Sequence, residues 1–565
     1  MNALRELIIN NFNDAVIIDN FRIGASGELY KREGCVCLGE FENKVRGAVA
    51  DSDTVYVVSG NEFFTVHNGT VNLIGALEES SFVDDNEKVT MFVYANNVFV
   101  LGGASFYRYT KNSNTIDIID GYAPIIDTID DTAGAEIIIE SCNALTARVR
   151  KKLKLSKTQN EHHIDNDVLE VRWVKLDGQL LDTEEYTIRI YDGNCYMYIN
   201  CNKYQSSNGD IEVEFTLHPR LYEHQRSEIL SCKKAHIYET ENGPILLLYD
   251  GDLLPPGTVY FTKNPDAPTD DYGFLDYFIK DRKFIIGDGT KEIRSILRWG
   301  ERTVAVTSMG IYLLQVRYLS NGDVRFDATP INTEIEVSKC SGSAVYENRL
   351  YVINENGLYC VSYDPVTAEY TTNQIEIDSR FIPSRNDYER VKLHLNKPAC
   401  ELWCCLDDIV AVYSLKYGVW YRFIGFSTNI LFTYNSATAF SSGNAVNLFD
   451  EKAYDDAGVG FDAILESKNI NFGNVFSDKT IYGFGAAFER CDGAVLECIL
   501  ENDKGNTFSV TVKSDENGVN SPVVSNTHAR LGNSAYIIYR LISPSYAAPA
   551  NVCEIMLRYR VSGGV

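Results

Sequence analysis

The stretch NRLYVINENGLYCVSYD (348–364) decides the fold. An apolar and aromatic run, a turn built on Asn and Gly, and a second run ending in polar residues are the marks of a β-hairpin. The same layout recurs in VYVVSGNEFFTVHNG (55–69), NNVFVLGGASFYRYTKN (96–112) and TVAVTSMGIYLLQV (303–316). Two looser versions follow the same plan, ENGPILLLYDG with GTVYFTKNPD (241–266) and CELWCCLDDIVAVYSLKYGVWYRF (400–423). A weak seventh is NAVNLFDEKAYDD (444–456). The unit starts, near Thr54, Asn97, Pro244, Thr303, Arg349, Glu401 and Ala445, are about 45–60 residues apart except between the second and third, close to the ~40–50-residue repeat of a propeller blade. The expected fold is therefore all-β, a β-propeller of six or seven blades. A sandwich of unrelated hairpins is the plainer alternative.

Composition agrees. Of 565 residues, 35 are Tyr and 27 Phe against 4 Trp and 5 Met, an aromatic profile that suits pleated surfaces. Apolar content of 45% excludes global disorder.

The one long interval between units, after GYAPIID (121–127), carries its own alternation in LEVRWVKLDG, EYTIRIYDG and DIEVEFTLH. It reads as a small β-sandwich inserted in a propeller loop, a position where insertions are well tolerated. LTARVRKKLKL and RLYEHQRSEILSCKK are candidate short helices at its two ends. The final segment is again strand-like and reads as a β-sandwich or jelly-roll-like domain, with a long polar loop at 514–532. The expected domains are 1–127 for the N-terminal segment and first blades, 128–225 for the insertion, 226–458 for the remaining blades and 459–565 for the C-terminal sandwich.

The chain holds 78 acidic and 52 basic residues, a net charge of −26. Such a surface repels phosphate backbones, which argues against sequence-specific nucleic-acid binding but suits a wall past which DNA slides. No apolar run approaches the ~20 residues that span a bilayer. The N-terminal MNALRELIINNFNDA lacks a basic region followed by an apolar stretch, so no secretory signal is expected. Fourteen irregularly spaced cysteines, without C-x-x-C spacing, read as reduced thiols of a protein made in a reducing cytoplasm.

A search for chemistry finds no G-x-S-x-G, no P-loop, no H-E-x-x-H and no dinucleotide fingerprint. The adjacent His162 and His163 point to opposite faces of an extended segment and cannot share a metal. No catalytic, cofactor-binding or metal-ligating residues are expected, and the chain is not expected to be an enzyme. ENDKGNTF (501–508) is a degenerate match to the Asp-box turn of sialidase-type propellers, with Glu501 and Phe508 in place of Ser and Trp. The clearest charged feature is RVRKKLKLSK, with Arg148, Arg150, Lys151, Lys152, Lys154 and Lys157. In an acidic protein this strip reads either as a contact for a neighbouring subunit or a polyanion, or as a lysine-guarded edge strand.

Several segments resemble tailed-phage virion propellers of the tail tubular protein B (nozzle) and phage stabilisation (hub) types. These are GTVYFTKNPDAPTDDYGFLDYF and the following IGDGTKEIRSILRWGERTVAVTSMGIYLLQV within 257–316, GSAVYENRLYVINENGLY (342–359), NNFNDAVIIDNFRIGASGELYKREGCVCLGEF (10–41) and ILESKNINFGNVFSDKTIYGFGAAFE (464–489). The resemblance covers most of the chain and brings no catalytic motif. The basic strip and the cysteine count depart from it. It implies a structural component of the virion tail, assembled in the host cytoplasm as a homo-oligomeric ring, of six copies as is usual for such proteins, around the DNA exit channel. Its implied partners are its own copies, other tail or neck proteins and genome DNA passing without recognition, with no membrane segment and no small-molecule substrate. The alternative is a carbohydrate-binding or glycoside-hydrolysing virion propeller.

Overall fold

The computed structural model describes residues 5–13, 15–78, 87–129, 139–218, 222–263, 275–320, 323–337, 339, 343–377, 390–473, 477, 479–489, 493–514, 523–525 and 531–561. The fold is a β-propeller with an inserted β-domain and a terminal β-sandwich. Five sheets are four-stranded antiparallel blades, and the same four-strand pattern recurs within a six-stranded and a nine-stranded sheet. The chain divides into two compact units, residues 1–73 with 337–565, and residues 74–336.

In the first unit, the 348–364 hairpin forms as expected. Arg349–Asn354 pairs with Gly357–Asp364 so that Val352 faces Tyr359 and Ile353 faces Leu358. Gly357 closes the turn with φ of 135°, a conformation that side-chain-bearing residues avoid. With Ser343–Tyr346 and Glu369–Ile375 this hairpin makes blade 5. Blade 6 comprises Lys392–Asn396, Glu401–Leu406, Ile409–Ser414 and Trp420–Ile424. Blade 1 comprises Val45–Asp51, Thr54–Ser59, Glu62–His67 and Thr70–Ala76.

Blade 7 is stitched from both ends of the sequence. Leu431–Tyr434, Ala437–Ser442 and Ala445–Asp450 supply three strands, and Gly34–Glu40 supplies the fourth. That is why its sequence signal was weak: a quarter of the blade lies some four hundred residues upstream. The N-terminal strands before it join the terminal sandwich rather than preceding a first blade. Arg5–Ile9 pairs with Val552–Val561, and Phe21–Ile23 with Leu29–Lys31 forms a hairpin on the same sheet. Ile17–Asp19 lies between Trp420–Ile424 of blade 6 and Ala463–Glu466 of the sandwich, fusing two sheets into one of nine strands. One core accordingly runs from Trp403, Tyr421 and Phe423 through Phe21 and Ile23 to Leu496, Leu541 and Ile555.

The second unit holds blades 2 (90–118), 3 (232–285) and 4 (293–336) and the insertion. The insertion packs a five-stranded sheet against a three-stranded one over Val149, Leu153, Val174, Met197, Ile199 and Phe215. Its strands run from Ile125–Ile129 to Asp210–Leu217. The helix expected at its return is present as α1, Glu223–Leu230. The one considered at 144–157 is instead the strand Arg148–Lys154, because alternating Val149, Lys151 and Leu153 match a period of two. Of the loop expected at 514–532, residues 515–522 and 526–530 lie outside the described residues, and the described part includes the strands Val523–Ser525 and the start of Leu531–Ser534. Among the described residues no helix is long and apolar enough to cross a membrane.

Candidate functional site

A cavity of about 730 Å3 opens in the first unit beside the N-terminal hairpin. Arg22, Tyr30 and Lys31 form one wall, Glu401, Ser414, Tyr417 and Tyr421 of blade 6 another, and Glu451, Tyr454, Ala548, Pro549 and Asn551 the rim. The strand alternation explains the wall. Phe21, Ile23 and Leu29 face the core, which turns Arg22 and Tyr30 to the opposite face of the hairpin.

Glu401, only 1% exposed, organises the floor. Its carboxylate accepts from Arg22 Nε at 2.6 Å and Nη2 at 3.1 Å. It also accepts from Tyr421 Oη at 2.7 Å, Trp403 Nε1 at 2.9 Å and Asn396 Nδ2 at 3.1 Å. A buried carboxylate survives in its charged form only with such a set of donors. Burial and the neighbouring Glu401 together hold the Tyr421 hydroxyl far above its usual range. Desolvation disfavours the charged Arg22, but Glu401 and Tyr421 together more than offset it, so its guanidinium is held more firmly protonated. It also pairs with Glu33 and lies 5.3 Å from the Phe423 ring centre.

Arg32, its side chain fully buried, forms a second knot. It donates to Asp456 at 2.8 and 2.6 Å, to Asn20 Oδ1 at 2.9 Å and to the Glu33 carbonyl at 2.9 Å. Its guanidinium carbon lies 3.7 Å from the Phe461 ring centre, where stacking replaces lost hydration. Arg422 and Asp19 form a third pair across the fused sheet. Lys31, 7% exposed, has no carboxylate in hydrogen-bond contact among the described residues; its Nζ donates to the Pro544 carbonyl at 3.1 Å. Burial, only partly opposed by the charge of Asp462, lowers its pKa to about 8.

The cavity lining holds no histidine or cysteine, Glu401 is saturated with donors, and Glu33 is engaged by Arg22. Among the described residues no cluster of three metal-ligating side chains occurs.

The basic strip lies elsewhere, in the second unit, and all six residues are in or just beyond one strand. That strand is internal, between Ile125–Ile129 and Asp210–Leu217, so it is not a guarded edge. Arg148 pairs with Asp120 at 2.9 Å and Glu214 at 3.3 Å, and Arg150 with Glu212 at 3.0 Å and Tyr122 Oη at 2.7 Å. Lys151 reaches Asp127 and Asp165 at 3.1 and 3.3 Å, and Lys154 pairs with Asp210. Lys157 donates to the Gln205 carbonyl at 3.0 Å, and half-buried Lys152 stands opposite Glu212 in the register. Five of the six thus have partners inside the domain, which explains the run without an external anion.

The Asp-box-like segment is a real hairpin turn, but of the terminal sandwich, not of a blade. Asn502 Oδ1 accepts from the backbone of Lys504 and Asn506, Gly505 has φ of 74°, and Asp503 accepts from Ala535 N at 3.2 Å. His162 and His163 separate as expected: burial lowers the pKa of the first, while the second stacks near Tyr196. The described cysteines are free thiols, most of them buried.

No family model matches the chain, and no curated protein matches it in sequence. Similar solved structures include the WD40 domain of SCAP from fission yeast, at 10% identity and a TM-score of 0.29 over 79% of this chain and 97% of that one. The Neurospora crassa Pan2 WD40 domain is 9% identical with a TM-score of 0.27, over 76% of this chain and 98% of that one. A glycoside hydrolase is 8% identical with a TM-score of 0.24, over 92% and 99%. Likenesses at these values carry no argument about what this chain does.

Sequence reasoning missed Arg22, Arg32, Arg422, Asp19, Glu401 and Asp456, the seam where the N-terminal strands meet the last third of the chain. Their signal was a lone charge within an apolar strand, as in CELWCCL for Glu401 and NFRIG for Arg22. A buried charge of that kind needs a partner, but the sequence does not say which.

Proposed function

We propose that this protein is a structural component of a tailed-phage virion, a tail nozzle, hub or adaptor that assembles as a ring around the DNA exit channel. It acts by contacts with its own copies and with neighbouring tail or neck proteins, without turnover. The observation that carries this reading is the N-terminal stitch. Residues 5–40 enter the terminal sandwich, bridge it to blade 6 and complete blade 7. Strand hydrogen bonds in three successive sheets, backed by buried Arg22, Arg32 and Arg422 pairs, suit a part that must hold its shape under load. The net charge of −26 suits a conduit that does not retain DNA. Negative-stain imaging of the purified chain, with light scattering across concentrations and with added tail-platform proteins, tests it. Rings with a central hole are expected; a strict monomer under every condition overturns the reading.

A further inference from the structure

We propose that the cavity beside the N-terminal hairpin is a binding site for a neutral oligosaccharide. Its volume of about 730 Å3 lies within the ~300–1,000 Å3 typical of small-molecule sites. The walls are strands of blade 6 and of the stitched hairpin, so the shape is present before any ligand arrives.

The chemistry of the lining selects the class. Tyr417 and Tyr454 stand at the mouth, 36% and 54% exposed; Lys416 Nζ lies 5.0 Å from the Tyr417 ring centre, and the exposed Tyr454 ring and the remaining Tyr417 surface are what a sugar ring would cover. Beside them, the Glu451 carboxylate and the Asn551 amide make no hydrogen bond within the described residues, so an acceptor and a donor–acceptor pair remain for ligand hydroxyls. Deeper in, both arginines are already matched, Arg22 by Glu401 and Glu33 and Arg32 by Asp456, while Lys31 donates to the Pro544 carbonyl. A fixed anion would meet Glu33, Glu401 and Glu451, and a fixed cation would meet Arg22, Arg32 and Lys31. A neutral polyhydroxylated ligand meets neither penalty, because each hydroxyl both donates and accepts. Aromatic faces alternating with carboxylate, amide and hydroxyl groups are the surface such a ligand needs.

This inference does not rest on ring assembly, and the two are read by separate measurements. The full chain is titrated calorimetrically with malto-, cello-, chito- and xylohexaose, with oligogalacturonate as the anionic comparison. At least one neutral oligosaccharide is expected to bind. Tyr454→Ala and Tyr417→Ala, both at exposed positions, are each expected to weaken that binding about three- to tenfold with unchanged thermal unfolding. Glu451→Gln tests the rim acceptor and is expected to weaken it less. Failure of all four neutral ligands at millimolar concentration overturns the proposal. So does unaltered binding in the Tyr417→Ala, Tyr454→Ala double variant, or tighter binding of the uronate than of every neutral ligand.

Discussion

Two regions of this protein bury arginines against carboxylates, and they differ in where the partners come from. In the inserted domain, Arg148 and Arg150 meet Glu214 and Glu212, 66 and 62 residues away, across one antiparallel register. At the seam, Arg22 meets Glu401 379 residues away, and Arg32 meets Asp456 424 residues away. The strip is a local device that stabilises one sheet and leaves partly exposed charges. The seam is a long-range device in which each pair ties the start of the chain to its last third. Charge pairs of similar geometry therefore differ in what they hold together, and burial sets how much each is worth.

The largest effect that would break this contrast is removal of the stitch. Deleting residues 5–40 takes away the fourth strand of blade 7 and the bridge to blade 6, and is expected to abolish cooperative unfolding in scanning calorimetry. Survival of a sharp transition would mean that the seam is ornamental. Next, Glu401→Ala leaves Arg22 and the donors of Tyr421, Trp403 and Asn396 facing a buried gap, which costs about 3–5 kcal/mol in denaturant titrations.

Acidification sharpens the comparison further. Burial lowers His394, beside Trp403 in the first unit, and His236 in the second to about 4 each. Both lie below the unfolded value of about 6.5, so the stability they allow is complete above that pH and falls away between about 6.5 and 4. His394→Gln is expected to flatten this acid limb in a series of melts, and His236→Gln to do so separately. At the alkaline side, Lys31 is neutral above about 8 in the folded chain but only above 10.5 when unfolded. The unfolded state then binds more protons, and stability rises across that window. Lys31→Met is expected to remove this rise.

The smallest effect belongs to the strip. Lys154 and Asp210 are partly exposed, and Lys154→Ala is expected to cost no more than about 1 kcal/mol, less at high salt.

The blades were legible because a blade is a local object. Residues 348–364 contain both strands, the turn and the glycine that closes it, and the alternation of side chains decides the face. The insertion was legible for the same reason, as was α1. The pairing of the basic strip was not: six cations in ten residues look like a surface, and only the tertiary structure shows four of them paired with Glu212, Glu214, Asp165 and Asp210 of the same domain. The cavity lay further still from view, since its walls come from residues near 22, 401, 451 and 549.

By itself, then, the sequence determined the all-β class, the repeat and its period, the acidic surface and the place of the insertion. These follow from periodicity and composition, which act over a few residues at a time. The tertiary structure alone decided that blade 7 takes its last strand from Gly34–Glu40, that Glu401 receives Arg22, and that a tyrosine-rimmed cavity forms beside them. Those outcomes depend on which distant strands share a sheet, and a buried charge selects its partner only once folding has removed water from both.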